Sequence, residues 1–177
     1  MTGWRFFLVW MLTFLGFPVG GELAFLLVGS IDGAADGALG GGVAGAVIGA
    51  AQWLVLRGRL GMTPLWIAAT ALGLALGDGV GAALTGTGTT IGDLLVTGVV
   101  SGVAVGLLQG ALLGGRVRAP GAWPLVVALA WPLGWTVTWA VGIDVERGYA
   151  VFGSTGALVF AAITGAAMLL ILRGRDR

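Results

Sequence analysis

Asp78 is the residue whose type and position point most clearly to chemistry. It lies inside a long apolar segment, between Gly77 and Gly79. An ionised Asp near the centre of a bilayer costs about 2.5–3.5 kcal/mol on insertion scales, so it must face protein or water, or stay protonated. Two interpretations stay open. The carboxyl handles a proton or a cation, or it is hydrogen-bonded to the backbone at a glycine-rich kink near the outer surface, which is the preferred interpretation.

Glu22 is the second acid within an apolar segment. It follows Pro18 and the pair Gly20-Gly21, and these residues predict a bent or loosened helix. One interpretation pairs Glu22 with Asp78 around a shared proton or ion. The preferred interpretation leaves Glu22 at the outer interface, in contact with water.

Gln52 and Gln109 are uncharged polar residues near the ends of two apolar segments. Each lies three residues after a glycine and a few residues before an arginine. An interhelical hydrogen bond is worth about 0.6–2 kcal/mol in membranes and is the preferred role. Binding of a polar solute is the alternative.

Tryptophans form two groups in the sequence. Trp131, Trp135 and Trp139 lie four residues apart and form a stripe on one helix face. Packing or lipid contact is the preferred role of this stripe, and stacking on a pigment or vitamin ring is the alternative. The other group fits an aromatic belt at the cytoplasmic interface: Trp4, Trp53, Trp66 and Trp123.

Several residue types that carry common chemistry do not occur. The chain has no Cys, His, Lys or Asn. Ser-His-Asp and Cys-His catalysis are therefore impossible within it, and the usual zinc, haem and iron–sulfur ligands are missing. We predict no catalytic residue, no metal and no cofactor. A net charge of +1 without a basic stripe gives no reason to expect nucleic acid.

The overall composition is that of an integral membrane protein. Hydrophobic residues make up 58% of the chain and charged residues 10%, and the mean hydropathy is +1.02. Soluble domains carry roughly a quarter charged residues. Lipid is therefore the expected main solvent, and the 35 glycines are expected to let helices approach closely.

Six segments are long and apolar enough to be spanning helices, which need about 20 residues. They are residues 5–28, 38–56, 64–85, 94–114, 122–143 and 151–172. The N-terminal segment resembles a signal peptide but lacks a good cleavage pattern, so it is expected to be retained. The chain is thus predicted to be a single all-α membrane domain over residues 1–177.

The arginines predict that both termini are cytoplasmic. Cytoplasmic loops carry the excess of Lys and Arg. In a six-span arrangement all arginines but Arg147 fall on one side: Arg5, Arg57, Arg59, Arg116, Arg118, Arg173, Arg175 and Arg177. Most acids lie in or near the far half: Glu22, Asp32, Asp36, Asp78, Asp93, Asp144 and Glu146. Capping of helix N-termini is the expected role of three of them: Asp32, Asp36 and Asp93. The predicted location is the cell membrane, with multiple spans.

An internal repeat divides the chain into three helical hairpins, at approximately residues 4–59, 66–118 and 123–175. Each copy opens with a tryptophan: Trp4, Trp66 and Trp123. A Leu-Gly pair follows in each: Leu15-Gly16, Leu76-Gly77 and Leu133-Gly134. An acidic loop, a helix of small residues and arginines then complete the copy.

Glycines four residues apart form a ladder along the second helix of each of the first two copies. The first ladder is Gly33, Gly37, Gly41, Gly45 and Gly49, and the second is Gly98, Gly102, Gly106, Gly110 and Gly114. The third copy keeps small residues: Gly153, Ala157, Ala161 and Gly165. Residues four apart lie on one face, so each ladder is a groove. Close helix packing is its preferred role, and a pore lining or pigment slot is the alternative.

The repeated segments resemble a group of uncharacterised bacterial multi-pass membrane proteins. The resemblance rests on Gly45–Arg57 (GAVIGAAQWLVLR), its echo Gly102–Arg116 and the tail Phe152–Arg173. The group's hallmark is a recurring G-x3-G-x2-Q-W-L-V-L-R segment. In the second copy Gly110 replaces the Trp, and in the third Met168 takes the Gln place. The resemblance implies a bacterial inner-membrane topology and no established activity.

These patterns favour a non-enzymatic membrane protein, namely a small accessory or scaffold subunit or a homo-oligomer. Its expected partners are the lipid bilayer and, in addition, other membrane-protein subunits or further copies of itself. A small solute, proton or ion transporter or channel, or the substrate-binding subunit of a transporter, is the alternative. Binding of a carotenoid or quinone is a weaker alternative.

The topology is testable with reporter fusions. Because cytoplasmic loops retain arginine, fusions after residues 58, 117 and 177 should report a cytoplasmic location, and fusions after residues 34, 88 and 147 an external one. Alkaline phosphatase and green fluorescent protein activities measure the two sides. A reversal at any one of these positions would contradict the six-span arrangement.

Overall fold

The secondary structure is helical throughout the described part of the chain. The computed structural model describes residues 2–142 and 154–172. The elements are α1 Gly3–Met11, a 3₁₀ helix Leu12–Leu15, α2 Gly16–Val28, α3 Ala34–Leu60, α4 Leu65–Thr85, α5 Ile91–Leu113, α6 Ala122–Ala140 and α7 Thr155–Leu172. Outside the described residues lie Gly153, Asp144, Glu146, Arg147 and the C-terminal arginines.

The first segment runs from Gly3 to Val28 with a short tightened stretch inside it. Pro18 has no N–H to donate to the carbonyl of Phe14, four residues earlier. The chain before it forms the 3₁₀ helix, where the N–H of Gly16 reaches the carbonyl of Thr13. We expected the irregularity at or after Pro18. It lies before the proline, and α2 stays helical through Gly20 and beyond.

Acidic residues act at two helix N-termini. At the start of α5, the Asp93 backbone N–H donates to Thr90 Oγ1 and the Thr90 N–H donates to an Asp93 carboxylate oxygen, forming a reciprocal capping box. At the start of α3, Asp36 accepts a hydrogen bond from the backbone N–H of Asp32. The N-cap of α3 is Gly33, and no side chain caps this helix. The expected capping role is therefore confirmed for Asp93, whereas Asp36 lies in the first turn of α3 and Asp32 precedes the helix.

Membrane spanning is supported by length and composition. Five segments are long and apolar enough to cross a bilayer: Gly3–Val28, Ala34–Leu60, Leu65–Thr85, Ile91–Leu113 and Thr155–Leu172. Helix α6 adds 19 residues without a charge and is rich in tryptophan. The helices therefore fit a multi-pass protein embedded in a membrane.

The helices pack as a closed ring. Each of α2 to α6 contacts the next helix along the chain, and α7 contacts α1. Consecutive helices joined by short loops pack antiparallel, as in other helical bundles. The ring encloses a core of large side chains, which is described below.

The glycines of α3 lie directly against the backbone of α4. A Cβ built on Gly41 would lie 2.6 Å from the carbonyl oxygen of Leu74, and one on Gly45 would lie 2.7 Å from that of Thr70. Gly37 and Gly49 make similar contacts. Real Cβ atoms are not found so close to backbone atoms, so the approach of these two helices requires glycine at these positions of α3.

The glycines of α5 lie against prolines and backbone of α6. A Cβ on Gly106 would lie 2.8 Å from Pro124 Cα, and one on Gly98 would lie 3.0 Å from Pro132 Cα. A Cβ on Gly102 would lie 2.7 Å from the carbonyl oxygen of Val127. Pro132 lies inside α6, and its backbone atoms lie against Gly98 of α5.

Replacement of a ladder glycine should separate these helices. Gly45→Leu and Gly106→Leu each place a side chain where backbone already lies, and we expect a loss of about 1–3 kcal/mol in stability. Thermal unfolding in detergent, followed by circular dichroism or by size-exclusion chromatography, measures the loss. Gly58→Leu is the matched control, because Gly58 lies on α3 with nothing near its Cβ position. Equal melting temperatures for all three variants would contradict this account.

Candidate functional site

A network of hydrogen bonds joins four helices at the centre of the bundle. Gln109 of α5 donates from Nε2 to Gln52 Oε1 of α3, at 3.0 Å, and to Thr70 Oγ1 of α4, at 2.9 Å. Trp66 Nε1 of α4 donates to Gln52 Oε1 at 3.0 Å, and Trp123 Nε1 of α6 donates to Gln109 Oε1 at 2.9 Å. All five side chains are buried. Both glutamines thus form interhelical hydrogen bonds.

The direction of each bond in this network follows from the chemistry of its members. An indole N–H can only donate, so Trp66 and Trp123 require the oxygens of Gln52 and Gln109. The Thr70 hydroxyl donates its proton to the carbonyl oxygen of Trp66 at 2.8 Å. Thr70 Oγ1 can therefore only accept from Gln109. Each amide orientation is therefore determined by its neighbours, and the network holds the helices in one register.

A third tryptophan completes the arrangement where the ring closes. Trp10 Nε1 of α1 donates to Thr164 Oγ1 of α7 at 3.1 Å. The Trp123 ring lies 6.3 Å from the ring of Trp10 and 6.3 Å from that of Trp66. Sequence reasoning missed Trp10 and Thr164. The near-equal sequence spacing of Trp10, Trp66 and Trp123 was the signal that could have found the first of them.

The predicted aromatic belt is wrong for two of its members. Trp66 and Trp123 are 0% and 1% exposed and belong to the central network. Trp4 is 64% exposed, which suits an interfacial position. Trp53 is half-buried, donates from Nε1 to the carbonyl of Met62 at 2.9 Å, and carries the Arg57 guanidinium 5.1 Å from its ring centre.

A second aromatic layer involves the tryptophan stripe of α6. The Trp131 ring lies 5.8 Å from that of Phe17 and 4.8 Å from that of Phe160, and all three side chains are buried. Trp135 is half-buried and Trp139 is 51% exposed. The three tryptophans therefore do not act as one surface, and protein rings already cover Trp131.

Asp78 lies between α3 and α5. Its Oδ1 accepts a hydrogen bond of 2.6 Å from Ser101 Oγ of α5. Its Oδ2 faces Gly41 of α3, where a Cβ would approach it to 2.8 Å. The preferred sequence interpretation was a bond to local backbone. The partner is instead a side chain on another helix, which sequence reasoning did not identify.

Glu22 and Asp78 do not form a pair. Glu22 is exposed on the outer side of α2, on a face shared with Val19 and Leu26, whereas Asp78 faces Ser101 and Gly41. The suggested sharing of a proton or ion between the two acids is therefore wrong. The Glu22 side chain points away from the bundle, and the Asp78 side chain lies between helices.

The described residues offer few arrangements for catalysis or metal binding. Within residues 2–142 and 154–172, no group of three or more His, Cys, Asp or Glu side chains is placed to hold a metal ion. The described polar side chains of the core form hydrogen bonds mainly with one another. In comparisons with known proteins, the chain matches no family model, no curated protein and no solved structure.

The central network should make a measurable contribution to stability. Gln52→Leu and Gln109→Leu each leave an indole N–H without its acceptor, and we expect a loss of about 0.6–2 kcal/mol for each. Because the two amides bond to each other, the double variant should lose less than the sum. Thermal unfolding in detergent gives the three values, with Leu54→Met on the exposed side of α3 as the control. Additive losses would show that the two glutamines act independently.

Proposed function

We propose that this protein is a non-enzymatic integral membrane protein that serves as a small accessory or scaffold subunit, alone or as a homo-oligomer. The single observation that carries the proposal is that the centre of the helical ring is filled by protein. Trp10, Trp66 and Trp123 occupy one level and Phe17, Trp131 and Phe160 occupy another. A bundle with such a core offers its outer surface, and not an interior path, to other molecules.

The proposal includes six spans with both termini in the cytoplasm. Helix α6 has the length of a span and no charge, and its tryptophans and prolines lower its hydropathy without making it water-soluble. Arg57 and Arg59 lie in the last turn of α3, which suits a cytoplasmic end. The central network is then close to the cytoplasmic side, and Asp78 is closer to the outer side.

The proposal also includes three hairpin repeats around a pseudo-threefold axis. Gln52 and Gln109 are 57 residues apart, and each lies 14 residues before the tryptophan that donates to it. Thr164 and Trp10 supply the third such bond, across the closure of the ring. Trp10 then corresponds to Trp66, in place of the Trp4 assumed from sequence, and Thr164 takes the glutamine position in place of Met168.

The 3₁₀ helix supports this alignment. Trp10 precedes the buried Phe17 by one residue fewer than Trp66 precedes Leu74 or Trp123 precedes Trp131. A 3₁₀ helix rises about 2.0 Å per residue against about 1.5 Å in an α-helix. The stretch Leu12–Leu15 therefore covers the same distance with one residue fewer.

The outward surface suits contact with lipid or with other spanning helices. Large apolar side chains are exposed on every helix, among them Leu54, Leu72, Leu107, Leu129 and Leu170. Between α4 and α5 an outward groove is lined only by apolar side chains: Leu76, Val80, Val99, Val100, Val103, Ala104 and Leu107. In water such surfaces would cause aggregation, and in a membrane they are available for assembly.

The alternatives have less support. A carotenoid or quinone would need the face of the Trp131 ring, which Phe17 and Phe160 cover. A transporter or channel needs a path that water or solute can enter, and the two aromatic layers occupy the centre. Among the described residues, Asp78 is the one feature that favours a proton- or ion-handling role for this protein.

Cysteine accessibility distinguishes a filled bundle from a transporter. Since the chain has no natural Cys, Ile48→Cys and Val105→Cys place single thiols in the core. Neither should react with a charged, membrane-impermeant thiol reagent from either side of a vesicle, as judged by intact mass. Ser30→Cys and Gly58→Cys, at exposed positions near opposite ends, should react from one side each. Labelling of a core cysteine in folded protein would overturn the filled-core argument in favour of a transporter.

Cross-linking tests assembly directly. Single cysteines in place of Leu54, Leu72, Leu107, Leu129 and Leu170 sample the outward faces of five helices. In native membranes, oxidation or a short bifunctional thiol reagent should give a covalent dimer, or a defined adduct with another subunit, from one face and not from the others. Equal cross-linking from all faces would indicate random collision, and none from any face would contradict the scaffold proposal.

A further inference from the structure

We propose that Asp78 and Ser101 form a proton-binding site within the helical bundle, with the Asp78 carboxyl as the group that takes up and releases the proton. This inference goes beyond the scaffold role and does not depend on it. It rests on the surroundings of Asp78, on the contacts of Gly41, and on a comparison among the three repeats.

The two carboxyl oxygens of Asp78 have different surroundings. Ser101 donates to Oδ1 at 2.6 Å, and a short hydroxyl–carboxylate bond is typical of a charge-assisted interaction. The point above Gly41 where a Cβ would lie is 2.8 Å from Oδ2 and 2.6 Å from the Leu74 carbonyl oxygen. Oδ2 and the carbonyl oxygen of Leu74, one helical turn earlier on α4, therefore border the same space beside Gly41.

No positive charge in the described part of the chain neutralises Asp78. Within the residues described, no arginine lies at ion-pair distance from it, and Arg57 and Arg59 belong to the opposite end of α3. The acids nearest to it on the helices packed against α4 are Asp36 on α3 and Asp93 on α5. Both are engaged at helix N-termini. A carboxyl in this position is charged only at a cost in desolvation, and binding a proton removes that cost.

The oxygens around Asp78 suit a proton better than a metal cation. Calcium takes six to eight oxygen ligands, and magnesium needs six in near-octahedral geometry. The described surroundings supply one carboxylate, one hydroxyl and a helical carbonyl that is close to Gly41. Two side chains are enough for a proton, which needs one acceptor and one supporting hydrogen bond.

The repeats act as an internal control for the structural need for Asp78, and this step rests on the proposed threefold repeat. Gly77 lies against Ser101, Gly20 lies against Ala44, and Gly134 lies against Gly156. By these contacts Gly20, in place of the Gly16 paired from sequence, corresponds to Gly77 and Gly134. The residue after each is Asp78, Gly21 and Trp135 respectively.

The carboxyl–hydroxyl pair is therefore present in one repeat and replaced in the other two. Gly21 and Trp135 stand where the carboxyl would be, and Ala44 and Gly156 stand where the hydroxyl would be. By contrast, all three repeats keep the bond from a central tryptophan to a polar side chain. The tryptophan bond recurs in all three proposed repeats and the Asp78–Ser101 pair does not, which indicates that Asp78 has a function of its own.

The site can be tested with dicyclohexylcarbodiimide, an apolar reagent that reacts with protonated carboxyls inside membranes. The acid proton is transferred to a carbodiimide nitrogen while a carboxyl oxygen bonds to the central carbon, and the product rearranges to a stable N-acylurea. Purified full-length protein in liposomes is treated from about pH 5 to about pH 9. Peptide mass spectrometry then locates and quantifies the adduct.

We expect an adduct on Asp78 whose yield falls about tenfold per pH unit above its midpoint. Asp78→Asn should lose this adduct and keep the melting temperature of the wild type, because Asn retains an acceptor for Ser101. Glu22→Gln is the matched control and should keep the Asp78 adduct. Ser101→Ala should shift the midpoint, since it removes the hydrogen bond to the carboxylate.

Three results would overturn the proposal. They are the absence of an Asp78 adduct at every pH while the protein stays folded, a yield that does not change with pH, and protection of Asp78 by sodium chloride but not by choline chloride. The third result would assign the site to a metal cation. None of them bears on the cross-linking test of assembly, so failure of one proposal leaves the other open to its own experiment.

Discussion

The indole N–H groups of Trp10, Trp66 and Trp123 impose the central constraint on this bundle. An indole N–H that leaves water without an acceptor costs free energy, and lipid supplies no acceptor. Each ring must therefore lie where a neighbouring helix offers an oxygen, and Gln52, Gln109 and Thr164 offer them. Because donor and acceptor lie on different helices in each case, satisfying these bonds sets the register of neighbouring helices and closes the ring between α7 and α1.

Close approach of the helices makes this arrangement geometrically attainable. A glutamine side chain is short relative to the usual separation of helix axes, which is about 8–10 Å. The ladder glycines let α3 meet α4, and α5 meet α6, at backbone distance. The bonds from Trp66 to Gln52 and from Trp123 to Gln109 join the same two pairs of helices. Glycine costs conformational entropy in a helix, and the tryptophan–glutamine bonds together with close packing offset that cost.

Asp78 differs from these residues because its side chain can ionise. The central network uses uncharged groups whose partners are all protein side chains or backbone. The Asp78–Ser101 pair joins α4 to α5, carries an ionisable group, and lies where Oδ2 occupies the space that a side chain in place of Gly41 would fill. In the proposed threefold repeat, Gly21 and Trp135 occupy the position of Asp78, so a purely structural contact is a poor explanation for an acid in this apolar segment. A role that depends on ionisation explains why an acid is kept there.

Composition and spacing were sufficient to predict a helical chain whose helices are long and apolar enough to span a membrane, the positions of these helices, and the contact of Gln52 and Gln109 with other helices. These properties depend on local hydropathy and on the lack of partners for polar groups in lipid, which are readable one segment at a time. The tertiary structure decided three further properties. They are the burial of Trp66 and Trp123, the roles of Trp10 and Thr164, and the pairing of Asp78 with Ser101. Each of these properties depends on which helices are neighbours in the bundle. Tryptophan is common both at membrane interfaces and in protein cores where its N–H has an acceptor, so its type alone does not predict its position. Only the closure of the ring brings residues as distant as Trp10 and Thr164 together, because no local pattern records the contact between the first and last helices.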